Sequence, residues 1–336
     1  MKVLITGGAG FIGSTVASCC VDHGITPVIL DDYSTGLRVF ARRFAHYEGD
    51  IADRALLDRI VDDHPDIDAV IHCAAKIVVP ESVEAPLKYY DNNVGRAVSL
   101  IDALSARGVK TFLLSSTAAM YEPGPDFMVD EGSAVHPTSP YAASKWMLER
   151  VLADTAATGR IRAIALRYFN PIGADPQLRT GLQNPAPSHA LGKMITAHTT
   201  GVPFTVTGVD WPTRDGSGLR DYVHVWDLAR AHVLALQAEL GAYEVINLGT
   251  GTGTTVLELA AAVGEATGAP LDVVAAPRRE GDVVGSAARI DKAARVLGWR
   301  PEYSVADGVR HSLQWAATLP EVLAAEAELA ELAELA

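Results

Sequence analysis

The amino-acid sequence predicts an α/β protein in which a doubly wound parallel sheet is followed by a smaller C-terminal α/β lobe. In the first half, short runs of β-branched residues alternate with longer helical patterns, as in parallel sheets with crossover helices. A glycine-rich turn joins the first of these runs directly to the first helical pattern. Beyond residue 171 the alternation gives way to segments rich in Gly and Pro, with shorter elements between them. Together these features indicate a sheet domain with a second lobe over the carboxyl edge of its strands.

Strands are predicted where β-branched and aliphatic residues cluster, at residues 3–6, 27–31, 46–49, 69–73, 111–115 and 161–167. Helices are predicted where apolar residues recur three and four positions apart, at residues 11–23, 54–63, 87–106 and 141–158. We therefore expect one domain over residues 1–170 and a second lobe over residues 171–320, with some of the chain crossing back.

The remaining residues, 321–336, consist almost wholly of Glu, Leu and Ala, which favour a helix. Leu329, Leu332 and Leu335 lie three positions apart, and this spacing drifts around a helix instead of forming one stripe. We therefore expect a solvated or frayed helical tail in preference to a helix that binds a partner, and assign it no function.

The composition narrows the class of protein. There are 28 Lys and Arg residues against 41 Asp and Glu, a formal net charge of −13, which disfavours general binding to nucleic acid or anionic membranes. An anionic ligand therefore requires a local group of basic residues. Cys19 and Cys20 are adjacent, and Cys73 is the third cysteine, an arrangement poorly suited to a structural disulfide. With no apolar run of signal-peptide or membrane-spanning length, we expect a cytoplasmic protein with reduced cysteines.

The glycine-rich turn at residues 7–13, GGAGFIG, has the spacing of a dinucleotide-binding turn. Gly7, Gly10 and Gly13 let the main chain turn tightly and approach a pyrophosphate. The charge of that group then lies against the free N–H groups at the helix start, where Phe11 and Ile12 follow. The position of the turn between a strand and a helix predicts a dinucleotide site of the Rossmann type.

Two acidic residues, Asp31 and Asp32, end the second predicted strand, eighteen residues beyond Gly13. A carboxylate at this place accepts a hydrogen bond from a ribose 2′-OH and repels a 2′-phosphate. Arg38 lies too far along the following loop to reverse this preference. The sequence therefore predicts NAD as the cofactor in preference to NADP.

Hydroxyl groups and a lysine suggest a proton-transfer site. Ser115, Ser116 and Thr117 lie at the end of the fifth predicted strand, and Tyr141 and Lys145 lie four residues apart at the start of a predicted helix, hence on one face. An ammonium group beside a phenol, helped by a positively charged nicotinamide ring, stabilises the phenolate and lowers the pKa of the tyrosine. The pattern therefore indicates a tyrosine that acts as a base.

With these motifs the sequence resembles the extended short-chain dehydrogenase/reductase family, and within it the UDP-galactose 4-epimerases, up to about Trp315. The segments that carry the resemblance are GDI at 49–51, ESV at 81–83, YYDNNV at 89–94, RYFNP at 167–171, RDYVHV at 220–225 and APRREGD at 276–282. The resemblance implies an NAD-dependent isomerase that inverts carbon 4 of a UDP-hexose, such as UDP-glucose or UDP-galactose. It also implies a homodimer that pairs through the helices at 87–106 and 141–158.

The resemblance assigns roles to individual residues, and the catalytic set is Tyr141, Lys145 and Thr117. With the glycine turn, the implied cofactor contacts are Gly7, Gly10, Phe11, Ile12, Gly13, Asp31, Asp32, Asp50, Ile51, Ala74, Ala75, Asn92, Ser115, Tyr141, Lys145 and Tyr168. The implied substrate contacts are Thr117, Tyr141, Asn170, His189, Arg220, Arg279, Asp282 and Ser286. The implied mechanism passes the 4-hydroxyl proton to Tyr141 and hydride from carbon 4 to NAD; the 4-keto sugar then turns over and is reduced on its other face.

Some positions depart from the family pattern. Thr117 stands where serine is usual, and its β-branch restricts the rotamer of the hydroxyl. Many members have lysine at the position of Ile77, whereas here Lys76 lies one place earlier. His189 replaces an asparagine that contacts uracil, and is either a uracil contact or an ordinary half-buried histidine. Ser286 stands where the family has either a bulky tyrosine or a small residue beside the 2-substituent of the sugar, so the N-acetyl sugars are expected to fit as well.

Three other functions are the alternatives for a chain with these motifs. A nucleotide-sugar 4,6-dehydratase requires an added acid and base, which in that class are Asp-Glu directly after the threonine, whereas this chain has Ala118 and Ala119. A UDP-glucuronate 4-epimerase is harder to exclude, although those enzymes typically resemble Arg-Phe-Phe-Thr where this chain has RYFN at 167–170. A non-catalytic NAD-sensing protein is disfavoured because such proteins commonly lack the Tyr/Lys pair. No metal-ligand spacing occurs, and His72 and His224 are expected to be structural.

Overall fold

The structure, a computed structural model, describes residues 1–278 and 283–334. The predicted α/β fold with a parallel sheet is confirmed. The strands are β1 (Lys2–Thr6), β2 (Thr26–Asp31), β3 (Ala45–Glu48), β4 (Ile67–His72), β5 (Thr111–Thr117), β6 (Met128–Val129), β7 (Arg162–Tyr168), β8 (Asn170–Ile172), β9 (Phe204–Thr207), β10 (Leu219–Arg220), β11 (Tyr222–His224), β12 (Tyr243–Leu248), β13 (Thr254–Thr255), β14 (Val273–Ala276) and β15 (Ala287–Ala288).

Helices connect these strands and cover the sheet. They are α1 (Phe11–Asp22), α2 (Arg38–Ala41), α3 (Arg54–Asp63), α4 (Val79–Glu84), α5 (Pro86–Tyr90), α6 (Arg96–Ala106), α7 (Pro140–Ala157), α8 (Ala190–Thr200), α9 (Val225–Gln237), α10 (Val256–Thr267), α11 (Asp291–Leu297) and α12 (Val305–Glu334). A π-helical turn, Asp91–Gly95, joins α5 to α6, and a 3₁₀ turn, Ala118–Met120, follows β5.

The central sheet has the spatial order β12-β7-β5-β4-β1-β2-β3, and each neighbouring pair is parallel. Because the chain leaves β1 toward β2 on one side and returns to β4 on the other, the carboxyl ends of β1 and β4 border a crevice. In open α/β sheets, ligands bind at such a switch point. The strand order alone therefore places the expected site at the carboxyl ends of β1 and β4.

Both faces of the central sheet are covered by helices, which bury the apolar side chains of its strands. In β1, Val3 and Ile5 pack with α1 and α9 in one apolar cluster, whereas Leu4 packs with α3, α6 and α7 in another. Successive side chains of a strand point to opposite faces. The continuous apolar runs in the sequence are therefore those of strands that are covered on both sides.

The second lobe is built from short paired strands and helices. Two-stranded pairs join β8 to β11, β9 to β14, β10 to β13 and β6 to β15, and a third apolar cluster fills the space between α8, α10 and α12. The chain crosses back to add β12 beside β7 of the central sheet, and again where Ala293 and Leu297 of α11 join the apolar cluster of α1 and α9. The domain boundaries at residues 170 and 320 stay predictions, although α12 runs continuously through residue 320.

The six predicted strands are confirmed, with ends that differ from the predicted ones by two residues or fewer. The predicted helix at 87–106 is instead α5, the π-helical turn and α6. The turn places the buried Asn93 so that its side-chain amide bonds the main chain of Lys76, an interaction that apolar periodicity does not predict. The expected solvation of the tail is wrong for its first part, because Val322 packs against Phe40 and Trp315.

No helix among residues 1–278 and 283–334 has the length and apolarity that crossing a bilayer demands. The same residues contain no group of His, Cys, Asp and Glu side chains arranged to hold a metal ion. Cys19, Cys20 and Cys73 are free thiols, and the first two are buried.

Candidate active site

The glycine turn lies at the switch point and approaches the neighbouring strand closely. Gly7 has φ +68°, and a Cβ there would meet the main-chain nitrogen of Ala74 at 2.5 Å. A Cβ on Gly13 would overlap the carbonyl oxygen of Gly7. At Gly10, by contrast, a Cβ would lie 3.4 Å from its nearest neighbour. Gly7 and Gly13 are therefore required by the turn itself, whereas Gly10 leaves room above it.

The residues around this turn fit a dinucleotide. Helix α1 starts after Gly10 with no side-chain cap and no acidic residue in its first turn, so its first N–H groups are available to an anion. Among the described residues, the Tyr33 hydroxyl and the Gln183 side-chain oxygen are buried without a hydrogen-bond partner. Gln183 also lies 4.0 Å from where a Gly10 Cβ would stand. Unsatisfied buried polar atoms beside a cradle of N–H groups indicate a polar ligand there.

Asp31 fastens the end of β2 to the glycine turn. Its carboxylate accepts from the main-chain N–H groups of Ala9 and Tyr33, each at 2.9 Å, and burial raises its pKa. Each oxygen keeps a further lone pair that can accept from a ribose hydroxyl. The next residue, Asp32, is exposed and accepts from the N–H of Ser34 at 2.9 Å. Asp31 thus has both a structural bond and spare acceptor capacity.

Asp50 and Ile51, the predicted adenine contacts, follow β3 at the outer end of the crevice. Asp50 accepts from the N–H of Ala52 at 2.9 Å and is paired with Arg96. Ile51 is buried in the sheet core. Ala74 and Ala75 directly follow β4 and are half-buried. All four therefore lie on carboxyl-end loops of the strands, where the sequence predicts them.

The predicted catalytic residues meet at the carboxyl end of β5. Ser139 caps α7 by accepting from the N–H of Ala142 at 3.2 Å, and Pro140 occupies the first turn. Lys145, one turn later, is buried and donates to the main-chain carbonyl of Ser115 at 2.9 Å. Burial lowers the pKa of Lys145 to about 8. The helix is therefore fixed against the strand that carries Thr117.

Tyr141 is half-buried and lies beside the side chain of Thr117. Burial raises the pKa of Tyr141, and the Thr117 hydroxyl acts in the opposite direction. The lowered pKa expected from the sequence is therefore not produced by the surrounding residues of the protein. The physical reason is that a buried phenolate loses its hydration, so a charge outside the chain is needed to stabilise it.

A buried cluster behind this site was missed by the sequence analysis. The Ser115 hydroxyl lies 2.9 Å from Nε2 of His232 and 3.2 Å from the sulfur of Cys73. Tyr168 on β7, in register with Thr117, lies with its ring 6.4 Å from that of His232 between centroids. His232 lies on α9, 117 positions later in the chain, and no local sequence signal links it to the strand.

A second missed group connects the loop after β4 to α7. The side-chain nitrogen of Asn93 donates to the carbonyl of Lys76 and to the hydroxyl of Ser144, each at 3.0 Å. Its oxygen accepts from the predicted cofactor contact Asn92 at 3.0 Å. The run of two asparagines was a visible signal, but only the structure shows that the second one is turned inward. Lys76 contributes its main chain to this network.

The buried ion pair between Glu149 and Arg167 supports the strands from behind. Arg167 donates to both oxygens of Glu149, with the shortest contact at 2.5 Å. Glu149 also accepts from Ser116, and Arg167 donates to the hydroxyl of Tyr121 at 2.8 Å. Because α7, β5 and β7 each supply a member, the pair fixes the elements that carry Tyr141 and Thr117.

Three of the predicted substrate residues, Asn170, Arg220 and Ser286, lie on or next to the short paired strands. Asn170 on β8 is paired with β11 and donates its N–H to the carbonyl of Asp221 at 2.9 Å. Arg220 donates to the carbonyl of Val284 at 2.9 Å, two residues before the half-buried Ser286. The structure therefore brings Asn170, Arg220 and Ser286 into one region. Arg279 and Asp282 lie outside the described residues.

His189 has a structural bond in this lobe. Its Nδ1 caps α8 by accepting from the N–H of Gly192 at 3.2 Å, and burial lowers its pKa. His72 and His224 are also buried and bonded, to Thr6 at 2.7 Å and to His311 at 3.0 Å. The capping bond leaves Nε2 of His189 available for a further contact.

Comparison with known proteins agrees with this geometry. The NAD dependent epimerase/dehydratase family matches the chain over residues 3–249. A UDP-glucose 4-epimerase from Rhizobium leguminosarum bv. trifolii is 42% identical over 316 residues, covering 93% of this chain and 96% of that protein.

Two solved structures are similar to the whole fold. UDP-glucose 4-epimerase from Stenotrophomonas maltophila, with bound NAD and formylated UDP-arabinopyranose, has a TM-score of 0.91 at 36% identity, covering 96% of this chain and 99% of that one. UDP-glucose 4-epimerase from Brucella ovis, in complex with NAD, has a TM-score of 0.87 at 39% identity, covering 96% and 98%. Since the family matches most of the chain and these relatives match nearly all of it, the chain belongs to the NAD dependent epimerase/dehydratase family.

Proposed function

We propose that this protein is an NAD-dependent 4-epimerase of UDP-hexoses, which interconverts UDP-glucose and UDP-galactose. The observation that supports it most directly is that the bond from Lys145 to the carbonyl of Ser115 brings Tyr141 beside Thr117 at the same sheet edge as the glycine turn. The relatives at about 40% identity have this activity. A base at that edge, next to a dinucleotide site, suits the reversible oxidation of a secondary alcohol.

The roles of the residues follow from their positions. NAD, when bound, supplies the reversible oxidation of carbon 4 to a ketone. Tyr141 accepts the proton of the 4-hydroxyl and returns it, and Thr117 orients that hydroxyl by hydrogen bonding. Lys145 holds α7 against β5 through its bond to the carbonyl of Ser115. The buried pair of Glu149 and Arg167 keeps these groups in register.

The UDP group is bound by the second lobe. Asn170 and Arg220 lie beside each other in space because β8 and β11 are paired, and the sequence adds Arg279 and Asp282 to this set. An arginine side chain offers planar, multiple donors that suit a diphosphate. In a protein of net charge −13, such local basic groups are what an anionic substrate requires.

The residues that follow Thr117 distinguish the proposed reaction from a related one. Ala118 and Ala119 form the 3₁₀ turn after β5 and carry no group that moves a proton, which argues against a dehydratase. A UDP-glucuronate 4-epimerase remains the alternative, because its chemistry at carbon 4 is the same. The Tyr/Lys pair argues against a non-catalytic NAD-sensing protein.

The protein is proposed to act as a cytoplasmic homodimer. Large apolar side chains are exposed on neighbouring helices, with Val83 of α4 63% exposed, Leu87 of α5 80%, Val98 of α6 40% and Met147 of α7 43%. A cluster of this kind is typical of a protein interface. Because α5, α6 and α7 fall within the segments 87–106 and 141–158 through which the resemblance implies pairing, a second copy of this chain is the proposed occupant. The three free thiols suit a reducing compartment.

The test is incubation of the purified protein, without added NAD, with UDP-glucose, UDP-galactose, UDP-N-acetylglucosamine and UDP-glucuronate in separate reactions. Products are identified by NMR. Interconversion of UDP-glucose and UDP-galactose is expected. Turnover of UDP-glucuronate alone would favour the alternative, and no turnover of any of the four would overturn the proposal.

A further inference from the structure

The last turns of α12 lie against the segment that follows β2. Val322 packs against the apolar cluster of Phe40, Ala174 and Trp315, in which the ring centroids of Phe40 and Trp315 are 5.9 Å apart. One turn further on, the carboxylate of Glu326 accepts from the main-chain N–H of Val39 at 2.9 Å. The acidic tail is therefore anchored to the protein at a defined place.

Glu326 is also one of two carboxylates around Arg38. The guanidinium lies 2.7 Å from Glu48 and 3.9 Å from Glu326, and 4.4 Å from the ring centre of Tyr33. The side chain of Glu48 is 54% exposed, whereas that of Glu326 is 14% exposed. Glu48 is the nearer carboxylate, whereas the attraction of Glu326 is less screened by solvent because its side chain is less exposed.

The segment held by Glu326 in turn contacts the glycine turn. The N–H of Leu37 donates to the carbonyl of Ala9 at 3.0 Å, and Asp31 accepts from the N–H groups of both Ala9 and Tyr33. A continuous series of bonds therefore joins the C-terminal helix to the turn that faces the pyrophosphate.

We propose that Glu326 is a positioning residue for cofactor retention and cofactor choice. It holds residues 33–39 against the glycine turn, and it keeps the guanidinium of Arg38 occupied by carboxylates. A free arginine near the end of β2 is the group that accommodates the 2′-phosphate of NADP. The pairing of Arg38 therefore adds to the discrimination made by Asp31. This inference rests on the proposed function for the identity of the cofactor.

Three variants separate the two effects. Glu326→Ala removes both the acceptor for Val39 and the charge beside Arg38. Glu326→Gln keeps an acceptor oxygen but removes the charge. Glu328→Ala, an exposed glutamate of the same helix, is the matched control for a change of charge in the tail.

Three measurements are made on the purified proteins: the NAD released on denaturation, the NADP taken up during incubation with an excess of NADP, and the hydrogen exchange of the Val39 amide. We expect Glu326→Ala to exchange this amide about tenfold faster and to lose NAD faster, since a hydrogen bond to a charged acceptor is lost. Glu326→Gln should keep more of the amide protection but still take up more NADP than the wild type. Glu328→Ala should match the wild type in all three.

A double variant tests the route through the arginine. In an Arg38→Met background, Glu326→Gln should no longer increase NADP uptake, because the guanidinium that loses one of its two carboxylates is absent. Unchanged Val39 exchange and unchanged nucleotide content in Glu326→Ala would overturn the inference. A wild-type protein without NAD would contradict the proposed function instead, and the Val39 exchange would then still decide whether Glu326 holds the segment.

Discussion

Lys145 and Ser115 are joined by a 2.9 Å hydrogen bond from the lysine ammonium to the main-chain carbonyl of the serine. The bond attaches the first turns of α7 to the end of β5. It therefore sets the distance between Tyr141, one turn earlier on α7, and Thr117, two residues later on β5. Together with the buried pair of Glu149 and Arg167, this contact between helix and strand positions the base and its hydroxyl partner.

Tyr141→Phe is expected to lower kcat by roughly a hundredfold or more, the scale of losing a positioned base. The fold and the NAD content should be unchanged, because only a hydroxyl is removed. Tyr47→Phe, which removes an exposed hydroxyl bonded to Asp63, is the control and should retain activity. Near-normal turnover of Tyr141→Phe would assign the base elsewhere, with Thr117 the next candidate.

The purified protein is expected to contain bound NAD. The uncapped start of α1 and the spare acceptor capacity of Asp31 favour binding, and an epimerisation that regenerates its cofactor favours retention. Nucleotide released by denaturation should be NAD when analysed by chromatography. An empty protein that turns over only with added NADP would contradict both the cofactor and the role of Asp31.

Ser286→Tyr is expected to suppress turnover of UDP-N-acetylglucosamine while sparing UDP-glucose. A tyrosine fills the space beside the 2-substituent, and overpacking costs roughly 1 to 3 kcal/mol. The measurement is kcat/KM for both sugars in both proteins. Ser286 does not determine the selectivity for the sugar if the wild type does not turn over the N-acetyl sugar, or if the substitution lowers both activities equally.

His232 is expected to make the protein less stable in acid. Burial lowers its pKa from 6.5 to about 4, so the unfolded chain binds a proton that the folded protein does not. Above pH 6.5 the histidine is neutral in both states and does not change the free energy of unfolding. As the pH falls from 6.5 to about 4, the free energy of unfolding decreases by roughly 1.4 kcal/mol per pH unit. His72 and His224, with a pKa of about 3, act in the same direction.

His232→Gln tests this assignment, with the free energy of unfolding measured in urea at several pH values from 7 to 4.5. The variant should lose stability less steeply with falling pH, by about one proton. An identical pH dependence in the two proteins would show that His232 does not titrate in this way. The substitution also removes the imidazole nitrogen that lies 2.9 Å from the Ser115 hydroxyl, so this hydroxyl loses its present hydrogen-bond partner.

Leu87→Arg is expected to yield monomers, because it places a charge in the exposed apolar cluster of α4 to α7. The wild type should have the mass of a dimer by light scattering at micromolar concentration. Val274→Arg is the control, since Val274 is a comparable apolar residue, 49% exposed on β14 of the second lobe. A monomeric wild type would refute the interface and leave the active site untouched.

The strands, most helices and the glycine turn were predictable because their signals are local. A β-branched run, a helical period or the strand–turn–helix context of Gly7, Gly10 and Gly13 is complete within a few residues. The pairing of Tyr141 with Lys145 is equally local, since both lie on one helix. The sequence by itself therefore determined the fold class and the residues proposed for the chemistry.

Contacts between distant residues were decided only by the tertiary structure. The bond of Ser115 to His232 spans 117 positions, and that of Val39 to Glu326 spans 287; neither leaves a periodic signal. The raised pKa of Tyr141 likewise depends on how far packing removes water from the phenol. Local patterns specify which elements form, whereas burial and long-range bonds exist only once those elements have packed.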